Sequence, residues 1–237
     1  MRNSLIICRK ELAGFFNSPA AYIVLLVFAL LTSWFFSNTF FLANQSDLRA
    51  LFDIVPMVYL FFVPAITMSL IARENQSGTI EFITTLPISD HEIVLGKFLA
   101  GLSLIAFALS LTAVHAFTLI MVGDKVDTGA LLSGYLGLML VGAVYTAIGL
   151  FGSAVTDNQI AAFIVSIMII LTMFLLDKML VLVPASIASV LQYLSVDYHL
   201  SNISKGVVDS RNLIYFGSVI AFFLLVSIRI LEIRKWK

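Results

Sequence analysis

The chain alternates long apolar runs with short polar intervals, and the lengths of the runs decide what it is. A bilayer-spanning helix needs about 20 mostly apolar residues, and six stretches qualify: residues 20–42, 54–72, 93–122, 130–154, 160–176 and 213–231. The pattern predicts six spans, the third long enough to tilt or to project beyond the bilayer. Ahead of them, residues 3–16 mix Leu5, Ile6, Leu12, Phe15 and Phe16 with Arg9, Lys10 and Glu11. That spacing predicts an amphipathic interface helix lying along the membrane with its charges in water. After Pro184, the residues Ile187, Val190, Leu191 and Leu194 have the spacing of another amphipathic helix. It lies on the outer surface or re-enters the membrane, and the rest of that segment to Arg211 reads as polar, with Asp197, Tyr198, His199, Lys205 and Asp209.

Composition agrees with a membrane protein. Sixty per cent of the 237 residues are hydrophobic and 12% charged, a balance no water-soluble domain of this length would carry. The net charge is zero, so no basic field recruits nucleic acid. Cys8 is the single cysteine, which excludes an internal disulfide or thiolate metal site. Its reading is a small apolar residue near the membrane. Arg2, Arg9 and Lys10 precede the first apolar run, but that run exceeds a signal-peptide core of about 7–15 residues and lacks a small-residue cleavage site, so it reads as a retained span.

Six spans put both termini on one side. Nine of the 14 Lys and Arg residues fall there, namely Arg2, Arg9, Lys10, Arg73, Lys97, Arg229, Arg234, Lys235 and Lys237, and the positive-inside rule makes that side cytoplasmic. In the fourth span Gly134, Gly137, Gly142, Ala143, Ala147, Gly149 and Gly152 allow close backbone approach, so this helix is expected inside the bundle. Asp157 is expected to cap the fifth helix.

Partial motifs fail on inspection. His91-Glu92 opens like a zinc motif, but Leu95 stands where the second imidazole belongs. Gly96-Lys97 imitates a phosphate loop, yet His91 replaces its first glycine and Phe98 its hydroxyl residue. His115 and Ser153 have no context that would make them a proteolytic dyad. The spans carry almost no charge beyond Lys97, which equips them poorly for ion-driven transport.

The polar interval 73–89 has a different character. Ser77 and Gly78 break the second span, Ile80, Ile83 and Leu86 fall on one helical face, and Pro87 stops the turn. Physics leaves two readings: a plain interfacial connection, or a short helix docking its apolar face in a partner's groove.

The arrangement of Arg73-Glu74, Gly78-Thr79-Ile80-Glu81, Leu86-Pro87-Ile88-Ser89 and Ile93 to Phe98 resembles the ABC-2 type permeases, membrane subunits of ATP-binding-cassette transporters. Arg9-Lys10-Glu11-Leu12 with Ser18-Pro19, and Asn158 to Ala162, match as well, and the likeness spans essentially the whole chain. The neighbourhoods of Phe16 to Tyr22 and Tyr198-His199 look most like the gliding-motility-associated branch. The resemblance implies an all-α membrane protein forming a single domain, with six spans, an N-terminal interface helix at Arg9, Lys10 and Glu11, and a re-entrant outer segment at 184–211. It implies a cytoplasmic coupling helix at about 77–86, with Arg73, Glu74, Gly78, Thr79, Ile80, Glu81, Ile83, Leu86 and Pro87 facing a separate ATPase subunit. That ATPase would bind the ATP and magnesium, this chain holding no cofactor and doing no catalysis. A second permease copy and an auxiliary subunit with an extracytoplasmic domain would complete the assembly in the inner membrane. Export and mechanical work on an extracytoplasmic partner remain alternatives, since both need the same coupling helix.

Overall fold

A computed structural model of the chain describes residues 2–42, 48–79, 88–122, 127–179 and 184–234. Helix α1 (Arg2–Phe16) leads into α2 (Pro19–Ser37). The Ser18 hydroxyl accepts the Ala20 N–H, and Pro19 takes the first helical position, where its missing donor costs nothing. A π turn, Asn38–Leu42, closes α2. The remaining helices are α3 (Arg49–Thr67), the short α4 (Ala72–Gln76), α5 (Asp90–Val122), α6 (Thr128–Val155), α7 (Gln159–Lys178), α8 (Ala185–Leu194), α9 (Val196–Ser204) and α10 (Ser210–Arg234). There is no strand among the described residues.

Among the described residues, six stretches are long and apolar enough to cross a membrane: Pro19–Phe41, Arg49–Gln76, Asp90–Val122, Thr128–Val155, Gln159–Lys178 and Ser210–Arg234. The fold class is therefore the expected all-α, six-span membrane protein. The glycine-rich fourth span, α6, is its hub. Its most apolar window is 78% buried against 17% for α7, and it packs on α3, α5, α7, α9 and α10. Glycine makes this possible, because a Cβ at Gly137 would sit 2.7 Å from Leu200 Cδ1 of α9 and one at Gly142 would sit 2.8 Å from Ile105 Cγ2 of α5. Phe52 and Thr67 of α3 fill the spaces left by Gly134 and Gly149, so α3 and α6 stay in step over fifteen residues.

Four sequence expectations need correction. First, the second span ends at Ser77-Gly78 as expected, but its helix is also broken after Thr67, which the sequence did not predict. The cause lies on another helix: the Ser153 hydroxyl of α6 accepts the Ile71 and Ala72 N–H groups at 3.0 and 2.8 Å and donates to the Met68 carbonyl at 2.9 Å. These bonds replace intrahelical ones and restart the chain as α4. Ser77 and Gly78 form the following turn, with Gly78 at φ +68°, a left-handed conformation natural only to glycine.

Second, the cap of α7 is Asn158, whose Oδ1 accepts the Ile160 N–H at 2.8 Å and the Ala161 N–H at 3.4 Å. Asp157 instead pairs with Arg234 of α10, which also donates to the Val155 carbonyl at 3.0 Å. Both residues are natural caps, and the one immediately before the first helical residue takes the role.

Third, α1 does not keep all its charges in water. It lies against α5 with Ser4 and Cys8 buried, and it approaches so closely that a Cβ on Gly96 would meet Ile7 Cβ at 2.7 Å. Arg9 and Lys10 are exposed, but Glu11 is largely covered.

Fourth, His199 is buried rather than part of a polar surface. Its ring stacks on Tyr215 with centroids 3.9 Å apart, Nδ1 lies 2.7 Å from Asn212 Oδ1, and Nε2 lies 2.9 Å from the Tyr193 carbonyl. The Tyr215 hydroxyl donates to the Leu194 carbonyl at 2.6 Å. These contacts stitch the α8–α9 elbow to the start of α10.

Candidate functional site

Charged side chains of three helices, Glu11 of α1, Glu74 of α4 and Lys97 of α5, meet at one point. Lys97, in the second turn of α5, is 1% exposed. A lone ammonium there would be prohibitive. Two carboxylates compensate it: Glu11 Oε1 of α1 and Glu74 Oε2 of α4, each 2.8 Å from Lys97 Nζ. The Glu11 contact is an aligned hydrogen bond, and the Glu74 contact is ionic without one. Lys97 also donates to the Leu70 carbonyl, one of the groups freed by the α3 break. Lys10 then bridges from the surface, 3.2 Å from Glu74 and 3.7 Å from Glu11.

The start of α5 is fixed separately. Glu92 N–H donates to Ser89 Oγ at 3.3 Å and Ser89 N–H to Glu92 Oε2 at 3.4 Å, the reciprocal pattern of a capping box. Asn3 of α1 adds a bond to the same Glu92 Oε2 at 3.0 Å. On the other side, Ser153 holds α4 from α6, and Asn75 Nδ2 reaches the Thr156 carbonyl at 3.4 Å. The interval between α4 and α5 is thus anchored at both ends, and α1 touches both anchors.

Of the expected site residues, Lys10, Glu11 and Glu74 meet around Lys97. Arg73 is on α4 and exposed, and Arg9 is exposed on α1. Gly78 supplies the turn, and the Thr79 hydroxyl lies 2.8 Å from that of Ser77. Ile80, Glu81, Ile83, Leu86 and Pro87 lie outside the described residues. Reading the sequence missed the Ser89–Glu92 capping box, although its S-x-x-E spacing was visible; it noted Lys97 without its partners.

His115 Nε2 lies 3.0 Å from Ser33 Oγ, whereas Ser153 is committed to the α3–α4 break, so the two do not form a dyad. No cluster of His, Cys, Asp and Glu suited to a metal occurs among the described residues.

Residues 38–205 match the family described as ABC-2 family transporter protein. No curated protein sequence matches the chain. The family match covers well over half of the 237 residues and takes in the second to fifth of the six spans, and the chain accordingly belongs to the ABC-2 transporter family as a multi-pass membrane subunit.

Proposed function

We propose that this chain is the permease half of an ATP-driven complex, receiving work through the interval that begins at Ser77 and ends before α5. The observation that carries the reading is the double anchoring of that interval. Glu74 and the Ser153-capped α4 hold one end, the Ser89–Glu92 box and Asn3 hold the other, and Lys97 ties both to α1. A displacement imposed on such an interval moves three helices together instead of being absorbed by a loop.

In this reading an ABC ATPase subunit binds ATP and magnesium and grips a coupling helix at about 77–86, with Ile80, Ile83 and Leu86 as its apolar face and Glu81 beside them. Closure of the ATPase dimer drives the segment as a rigid body, and two permease copies rock against each other. The termini are cytoplasmic, the bilayer is the inner membrane, and the α8–α9 elbow is the re-entrant outer element. Its packing supports this: Leu200 of α9 meets Gly137, well inside α6. Sequence resemblance supports the gliding-motility-associated branch, with an auxiliary extracytoplasmic subunit. Export is the primary role, and mechanical work on that auxiliary subunit is the alternative. ATPase activity stimulated by a substrate in liposomes favours export, and strict dependence on the auxiliary subunit favours mechanics.

The test is an Ile83→Pro variant co-reconstituted with the ATPase. Membrane insertion is expected to be normal and ATP hydrolysis to become independent of the permease; wild-type coupling in that variant would sink the assignment.

A further inference from the structure

A partly open cavity of ≈ 340 Å³ lies between α1, α2 and the α3–α4 break. Lys10, Glu11, Arg73 and Glu74 line its polar end, and Val24, Ala65 and Leu104 line its apolar wall. A second groove of ≈ 280 Å³, almost wholly apolar, runs along α2 and α3 and shares Val24 and Ala65 with the first. It reaches Leu31 on α2 and Val58 on α3, each seven residues past the shared pair, or ~10 Å of helix. The two make one trough, charged at the interface and greasy toward the bilayer centre.

The charges at the polar end do not balance. Lys10, Arg73 and Lys97 face Glu11 and Glu74, which leaves one positive charge over. Lys97 occupies both carboxylates, and Lys10 shares them from a 62% exposed position. The Arg73 side chain is exposed and has no hydrogen bond or ion pair among the described residues. A guanidinium with no side-chain partner among the described residues, at the end of an almost wholly apolar groove, is complementary to an anionic amphiphile.

We propose that the trough holds one phospholipid of the leaflet on the termini side, its phosphate against Arg73 and Lys10 and one acyl chain in the groove beside Val24 and Ala65. The lipid would bridge α1 and α4, joined by the Lys97 cluster, to the α2–α3 pair. A free phosphate engages only the polar end, and a second protein copy seated in the groove has no need of the unpaired cation.

The test is lipid retention by the full chain purified in mild detergent and read by native mass spectrometry after exposure to phosphatidylglycerol, phosphatidylcholine or inorganic phosphate. Wild type is expected to retain one phosphatidylglycerol in preference to phosphatidylcholine. Arg73→Gln is expected to lower that retention about fivefold, the worth of one interfacial cation, with Arg73→Lys restoring most of it. Ala65→Phe is expected to block the junction and abolish retention of either lipid. Val27→Trp, at a position already exposed on α2, does the same without challenging the core. Equal retention of both lipids with no effect of these variants would overturn the proposal. So would thermal protection by phosphate alone matching that by lipid, or a lipid-free dimer with Phe61 buried between copies.

Discussion

Lys97 is the residue on which the termini end of the bundle depends. Its replacement by Met leaves the covered Glu11 and Glu74 with only the exposed Lys10 to share between them, and loss of one partner from a buried ion pair costs about 3–5 kcal/mol. The expected readout is specific, since Cys8, the chain's single thiol, is buried where α1 rests on α5. In Lys97→Met, maleimide labelling of Cys8 should rise sharply, together with a lower unfolding temperature in detergent. A second residue-scale outcome separates two neighbours. Asn158→Ala removes a helix cap and should cost about 1 kcal/mol, whereas Asp157→Asn removes one exposed ion pair and should cost no more than about 1 and usually less, as thermal unfolding will show. The sequence displayed Lys97 as the lone charge within a span, but its partners stand 86 and 23 residues away, and neither is announced by local spacing. The choice between Asp157 and Asn158 was equally hidden, because it turns on a one-residue difference in where the helix begins.

At the scale of elements, α6 and the broken second span define each other. Ser153→Ala strips the acceptor from two buried N–H groups and is expected to cost about 1–3 kcal/mol each for groups left unsatisfied, with faster hydrogen exchange at Ile71 and Ala72 as the direct measure. Gly149→Val drives a side chain into Thr67, and overpacking of this kind costs about 1–3 kcal/mol, so the variant should melt earlier while remaining inserted. The centrality of α6 was legible because small residues along a span have one physical use, close approach. The break after Thr67 was not, because the hydroxyl that creates it comes from another helix. The amphipathic character of α1 was legible too, but an alternating pattern cannot say whether the polar face meets water or a buried lysine.

For the whole molecule, the six spans could be read directly from the chain, since hydropathy over about 20 residues is a local property and the bilayer sets the length. Order within the bundle was not, beyond the place of α6, because lipid-facing and helix-facing apolar residues have the same composition. The lipid-facing surface is large: α2 alone exposes Ile23, Leu26, Leu30 and Trp34. The anchoring pattern ties the first and the last described helix to different joints. The C-terminal helix is fastened near its end by Arg234 to the α6–α7 turn, away from α1. The N-terminal helix bonds through Asn3 to the same Glu92 that caps α5. A fusion placed ahead of Arg2 therefore loads the Asn3–Glu92 bond at the start of α5, whereas one placed after Arg234 loads the α6–α7 turn, whose Thr156 carbonyl holds Asn75 of α4. For anyone building a reporter or purification handle, a tag at either end pulls on a contact that positions a neighbouring helix.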